Sequence, residues 1–262
     1  GAEYYLNISY QLKDAAPYAP AGHELATAQF RLPVYREGIE VIPQGTLKVT
    51  KEHTLLRAEG ADFRVEFDLV RGNITSIVRD GMEIMSKGPR LTLWRAPISN
   101  DMEIIHELKK VYFLHLEHET VMDIQYEEDG HFLNVTVKTV NGTTNSAWHF
   151  DTVYEYTVCP TGDVLIRVSG VPGGKMEDTG AALSANGSSA NMAMGTKLGC
   201  APDMFPRIGV SMHLDKSMEH VRYFGRGPGE NYADSKEAGL MGVYENTVDG
   251  LFTNYVVPQA NG

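Results

Sequence analysis

Apolar and polar residues alternate with a period of two along much of this chain, in short runs between turn residues. Phe63, Val65, Phe67 and Leu69 alternate with Arg64, Glu66 and Asp68, and Gly72-Asn73 then turns the chain into I-T-S-I-V-R-D. The same pattern marks strands over residues 132–138, 153–158, 164–168, 208–214 and 220–224, with Pro160-Thr161-Gly162-Asp163 as a hairpin turn. Period two sends successive side chains to opposite faces, which is the signature of a half-buried strand. Helical signals are few. Asn100 or Asp101 is placed to cap one short helix over 102–110, with Glu103 near its positive end and Lys109-Lys110 near its negative end. Many strands and almost no helix predict an all-β, antiparallel sandwich rather than a βαβ fold.

Two segments differ in texture. Residues 1–52 carry strands at 4–12, 25–32 and 46–51, with a loop A-A-P-Y-A-P-A-G between the first two. Three strands are too few for an independent sandwich. We read 1–52 as the C-terminal part of an immunoglobulin-like β-domain and 53–262 as a second, larger β-domain. Residues 173–206 are rich in Gly, Ala, Ser, Asn and Met, and predict a long irregular connection.

At 262 residues, with 42% hydrophobic and 22% charged positions, the chain is long enough to bury a sizeable core. No apolar run is long enough for a membrane-spanning helix, and membrane partners are not expected. Gly1-Ala2 reads as a cloning remnant, with no signal segment behind it. The net charge of −11, with dispersed acids, repels phosphate backbones and argues against nucleic acid. Cys159 and Cys200 form no metal-type pair and read as buried free thiols, although spacing alone leaves a disulfide open.

Candidate chemistry gathers in three places. The stretch Y-F-G-R-G-P-G-E-N-Y-A-D-S, 223–235, suits a phosphate cradle, a sugar pocket or a tight turn. Pro228 removes a donor that phosphate binding needs, and no helix follows. The favoured reading is a structural turn of Gly225, Gly227, Pro228, Glu230, Asn231, Tyr232 and Asp234, with glycines at positive φ and the polar side chains holding backbone groups. The second stretch is R-L-T-L-W-R-A-P-I-S-N-D, 90–101. A short strand bearing Trp94 ends in Arg95 ahead of a polar tip, a set that suits the C–H faces and hydroxyls of a sugar or, more blandly, a core Trp beside a capped turn. His115 and His118 form the third. On the strand implied by F-L-H-L-E-H-E-T they point to opposite faces, so no metal site is expected. No complete catalytic constellation is visible: neither a nucleophile elbow nor a carboxylate pair at the end of a βα unit.

R-A-P-I-S-N-D, G-R-G-P-G-E-N-Y-A-D and the final Y-V-V-P-Q-A-N-G, in this order, resemble the C-terminal part of the β-galactosidases of glycoside hydrolase family 2. The resemblance implies an antiparallel β-supersandwich of the galactose-mutarotase-like type, preceded by strands of an immunoglobulin-like sandwich and ending before the family's last strands. It implies that both catalytic glutamates, with Mg²⁺ and Na⁺, belong to a (β/α)₈ barrel elsewhere in a parent enzyme, so this region holds no catalytic residue, metal or cofactor. Arg95, Asn100, Asp101 and Glu103, with Trp94, are then expected to line the substrate pocket. Ser235 stands where family members often carry Arg. The expected partners are a galactoside or other carbohydrate, the parent's catalytic barrel and a second copy of the chain, because missing strands leave edges exposed. The compartment stays open between bacterial cytoplasm and periplasm. The alternatives are a free-standing carbohydrate-binding module, or a sugar epimerase using His213 and Glu230 as acid and base.

Overall fold

A computed structural model describes residues 2–36, 44–144, 146–176, 200–231, 235–253 and 255–256. Most of the irregular connection expected over 173–206 lies outside these residues. The chain separates into two compact units, Gly1–Ile42 with Glu219–Thr253, and Pro43–Met218. As the alternation predicts, the fold is all-β and antiparallel.

The larger unit is a sandwich of two sheets. A six-stranded sheet contains β3 (Lys48–Glu52), β4 (Leu55–Glu59), β5 (Phe63–Asp68), β6 (Asn73–Arg79), β7 (Met82–Thr92) and β12 (Gly209–Leu214), in the order β12-β7-β6-β5-β4-β3. A four-stranded sheet contains β8 (His118–Glu128), β9 (Leu133–Gly142), β10 (Trp148–Val158) and β11 (Val164–Gly174), in the order β11-β10-β9-β8. Leu56, Ala58, Phe63, Val65, Phe67, Ile74 and Met85 from the first sheet form one buried cluster with Leu133, Val135, Val137, Tyr154, Tyr156 and Val158 from the second. Each large side chain in it contributes about 1.5–3 kcal/mol by leaving water. The β6–β7 turn uses Asp80 at φ 51° and Gly81 at φ 76°. Two positive φ values match the twist of a tight hairpin, and Asp-Gly tolerates them.

A second cluster closes one end of this unit. Leu93, Leu108, Tyr112, Leu114, Trp148, Phe150 and Ala201 pack together beneath α1 (Ile105–Lys110). The Phe205 ring meets Trp148 and Phe150 edge-on, with centroids 5.3 and 5.5 Å away. The helix is shorter than expected: Ile104 stands at its N-cap with no side-chain cap, and Ser99–Asp101 forms a separate 3-10 turn. Residues Leu114–Leu116 also form a 3-10 turn, so His115 precedes the strand that begins at His118. The opposite-face relation expected for these histidines therefore does not arise. Cys159 and Cys200 are buried thiols that are not joined to each other.

The smaller unit contains two two-stranded ribbons. β1 (Ala2–Gln11) pairs with β2 (Glu24–Arg36), and β13 (His220–Gly227) pairs with β14 (Leu240–Thr247), which runs into α2 (Val248–Leu251). In the first ribbon Leu6 stands opposite Phe30, Ile8 opposite Ala28 and Tyr10 opposite Ala26, so these side chains share one face. That face is uncovered among the described residues, with Leu6 49% and Phe30 54% exposed. On the other face the Gln29 amide bonds β14 twice: its nitrogen donates to the Met241 carbonyl at 2.8 Å and its oxygen accepts the Met241 N–H at 2.7 Å.

Candidate functional site

β7 ends at Thr92, so Trp94 stands two residues past the strand expected to carry it, and the R-A-P-I-S-N-D corner begins at Arg95. The Trp94 ring is half-buried, 5.8 Å from the His115 ring and 5.8 Å from the Lys109 ammonium. Arg95 turns inward. Its Nε donates to the Pro206 carbonyl at 2.7 Å, and an Nη donates to Asp101 Oδ1 at 3.1 Å. Asp101 is only 3% exposed, and its Oδ2 accepts the Ile98 N–H at 3.0 Å, which closes the turn. The second Nη of Arg95 is buried without a hydrogen-bond partner among the described residues. The structure thus brings a half-buried Arg95 and a buried Asp101 together as a pair, while Asn100 and Glu103 are exposed.

The glycine-rich stretch differs from the expected turn. Gly225 and Gly227 lie inside β13, opposite Gly242 and Leu240 of β14. Neither they nor Gly229 is among the described glycines with positive φ. Gly227 is small for a packing reason: a Cβ there would stand 2.7 Å from the Tyr244 ring and 2.8 Å from the Tyr223 hydroxyl oxygen. The peptide joining Gly227 to Pro228 is cis. Asn231 does hold the backbone, donating to the Gly229 carbonyl at 2.8 Å. Arg226 contributes more than was expected of it, donating to the carbonyls of Lys236 at 2.7 Å and Gly239 at 2.9 Å. Glu230 is described; Tyr232 and Asp234 lie outside the described residues. His213 belongs to the larger unit and Glu230 to the smaller one.

A third arrangement, absent from the sequence-based list, is the most strongly built. Arg90 on β7 forms an ion pair with Glu119 on β8, with side chains 22% and 10% exposed. Arg90 also donates to the Arg71 carbonyl at 2.5 Å. Glu119 Oε2 accepts the Tyr154 hydroxyl at 2.5 Å, the Asn141 amide at 3.0 Å and the Thr139 hydroxyl at 3.3 Å. The Tyr154 oxygen in turn accepts the Leu91 N–H at 2.7 Å. Alongside, Glu117 accepts the Thr92 hydroxyl at 2.8 Å and the Leu93 N–H at 2.7 Å. Four strands of two sheets are therefore tied through one buried polar network. Burial pulls the Arg90 guanidinium below its ordinary value, against the opposing influence of Tyr154, Tyr156 and Asp68. Burial also raises the Glu117 carboxyl, against the bonds from Thr92 and the Leu93 and Trp94 backbone.

This network forms the floor of a cavity of about 720 Å³, whose rim includes Lys87, His118, Thr120 and Ser211. A larger hollow of about 1170 Å³ lies among residues 44–48, 59–64 and Pro160. Among the described residues no three His, Cys, Asp or Glu side chains converge as metal ligands. No helix among them is long and apolar enough to cross a membrane.

Comparison with known proteins places these features in a family. The family described as beta-galactosidase, domain 4, matches residues 1–33, and that described as beta galactosidase small chain matches residues 59–262. Similar curated proteins include a beta-galactosidase of Kluyveromyces lactis, 29% identical over 96% of this chain and 22% of its own length. One from Lactobacillus delbrueckii subsp. bulgaricus is 26% identical over 99% of this chain and 23% of its own. Another from Actinobacillus pleuropneumoniae is 24% identical over 100% and 24%. The chain spans less than a quarter of the length of these relatives. With more than half of its residues matched, the chain belongs to the beta galactosidase small chain family.

Proposed function

We propose that this chain is the accessory C-terminal portion of a β-galactosidase that hydrolyses terminal β-D-galactosides. The observation that carries this reading is the alignment of almost the whole chain with under a quarter of each beta-galactosidase. In this reading the two carboxylates of a retaining hydrolase, and the Mg²⁺ and Na⁺ that serve them, belong to a barrel in the remaining portion. This chain's role is to shape the rim of the galactoside site. The Arg95–Asp101 pair supplies a rigid corner for it, since both side chains are bonded to backbone as well as to each other. The β1–β2 ribbon would complete an immunoglobulin-like domain, whereas β3, expected with it, pairs with β4 in the six-stranded sheet of the larger unit. The uncovered apolar face of the β1–β2 ribbon supports this, because a half-sandwich needs a second sheet over it. Left alone, that face also favours self-association.

The test is hydrolysis of a chromogenic aryl β-galactoside. The purified chain alone is expected to show no turnover above background, and turnover is expected when it is combined with the barrel-containing portion. Activity of the chain alone, abolished by replacing one of its own carboxylates, would overturn the proposal. So would a barrel-containing portion whose kcat/KM is the same with and without this chain.

A further inference from the structure

We propose that the cavity between β7, β8 and β12 binds a small, neutral polyhydroxylated molecule of monosaccharide size. This goes beyond the accessory role and does not rest on it. Volume is the first argument. About 720 Å³ falls within the ~300–1,000 Å³ typical of small-molecule pockets.

The second argument is the division between a fixed floor and a free rim. Glu119 is held by Arg90, Tyr154, Asn141 and Thr139, and Glu117 by Thr92 and the Leu93 N–H. All sit on strands or strand ends, so ligand binding requires little ordering of these groups. Lys87, His118 and Ser211 are exposed and make no side-chain hydrogen bond to another described residue. Their donors and acceptors are available at the cavity mouth.

The third argument is charge and polarity. The lining carries three cations, Arg71, Lys87 and Arg90, interleaved with two carboxylates, Glu117 and Glu119. An anion entering the cavity meets the carboxylates, and a cation meets the guanidiniums. A hydroxyl group is donor and acceptor at once, so it finds a partner of either kind in this mixed lining. Val70, Leu91 and Val121 supply short aliphatic walls for the C–H edges of such a ligand.

The test is titration of the purified chain with galactose to about 100 mM, read by saturation-transfer NMR on the sugar and amide shifts on the protein, since a monosaccharide is expected to bind with a Kd on the order of millimolar. Citrate serves as the anionic comparison. The expected result is saturable galactose binding, shifts at Thr120 and Ser211, and at least tenfold weakening in Lys87→Ala and in Ser211→Trp. Both positions are exposed, so folding is retained, and the protein spectrum checks this directly. No saturable effect of galactose overturns the proposal. So does equal binding by both variants, or saturable binding of citrate alone. These readouts need no turnover, so a negative result here leaves the β-galactosidase reading standing, and an inactive enzyme leaves this one standing.

Discussion

Replacing Tyr154 by Phe removes one oxygen from the middle of the polar network and leaves the ring in place. That oxygen donates to Glu119 Oε2 at 2.5 Å and accepts the Leu91 N–H at 2.7 Å, on a side chain with no exposed surface. Losing a hydrogen bond to a charged acceptor costs about 1.5–3 kcal/mol, and a buried N–H left without an acceptor costs about 1–3 kcal/mol. The two effects share an atom and do not add fully, so about 3 kcal/mol is expected. The chain has two tryptophans, Trp94 and Trp148, both in the larger unit, so fluorescence during urea unfolding reports that unit alone. The midpoint should fall at an unchanged slope, and Tm should fall by about 6–12 °C. Tyr126→Phe, at a 38% exposed ring on the same sheet, is the control and should be near neutral. A Tyr154→Phe loss below about 0.5 kcal/mol, the range of ordinary surface changes, would refute the claim that this hydroxyl ties the two sheets together.

Three other changes probe separate features. Burial raises the Glu117 carboxyl above its ordinary 4.5, so its stabilising contribution is present below that value and is lost as pH rises through the folded one. The stability of the native chain minus that of Glu117→Gln should therefore shrink as pH rises above 4.5 in urea titrations, and a difference that grows with pH would contradict the burial argument. Gly88→Ala places a Cβ 2.9–3.0 Å from Ile74 atoms that include backbone, and should lower stability by about 1–3 kcal/mol in thermal unfolding. Arg95→Ala leaves Asp101 buried and unpaired, with an expected loss of about 3–5 kcal/mol, whereas Asp101→Asn keeps an acceptor for Ile98 and should lose less; the reverse order in denaturant titrations would rule out the pair as described.

The elements that were legible from sequence are those in which one face is buried without interruption. In β5, Phe63, Val65 and Phe67 are buried and Arg64, Glu66 and Asp68 are half-buried, as simple alternation requires. β9 and β10 behave in the same way. β7 was hidden because Gly88 and Pro89 stand inside it, and both normally end a strand. In β8 the pairing register shifts between Val121 and Asp123, which breaks the period that would reveal it. The R-A-P-I-S-N-D corner was found, but composition does not tell an outward Arg from one folded back onto its own turn. Arg90, Glu119, Asn141 and Tyr154 come from four strands across 65 residues, with Glu117 just ahead of β8, and no local motif joins them. The available signal was chemical: Asn141 is a polar residue on β9, a strand otherwise patterned for burial.

The smaller unit is discontinuous. Its first ribbon comes from residues 1–42 and its second from 219–253, joined by the Gln29 amide on Met241. During vectorial synthesis the first ribbon leaves the ribosome and then waits for some 177 residues (219 − 42) before its partner strands exist. At about 5–20 residues per second that interval is roughly 10–35 s. Throughout it, the Gln29 amide lacks the Met241 backbone that it bonds in the finished unit, while residues 43–218 can already collapse into their sandwich. The smaller unit can therefore close only after the whole of the larger one has been made, and slowing translation should lengthen the interval in which its first ribbon stands without its second.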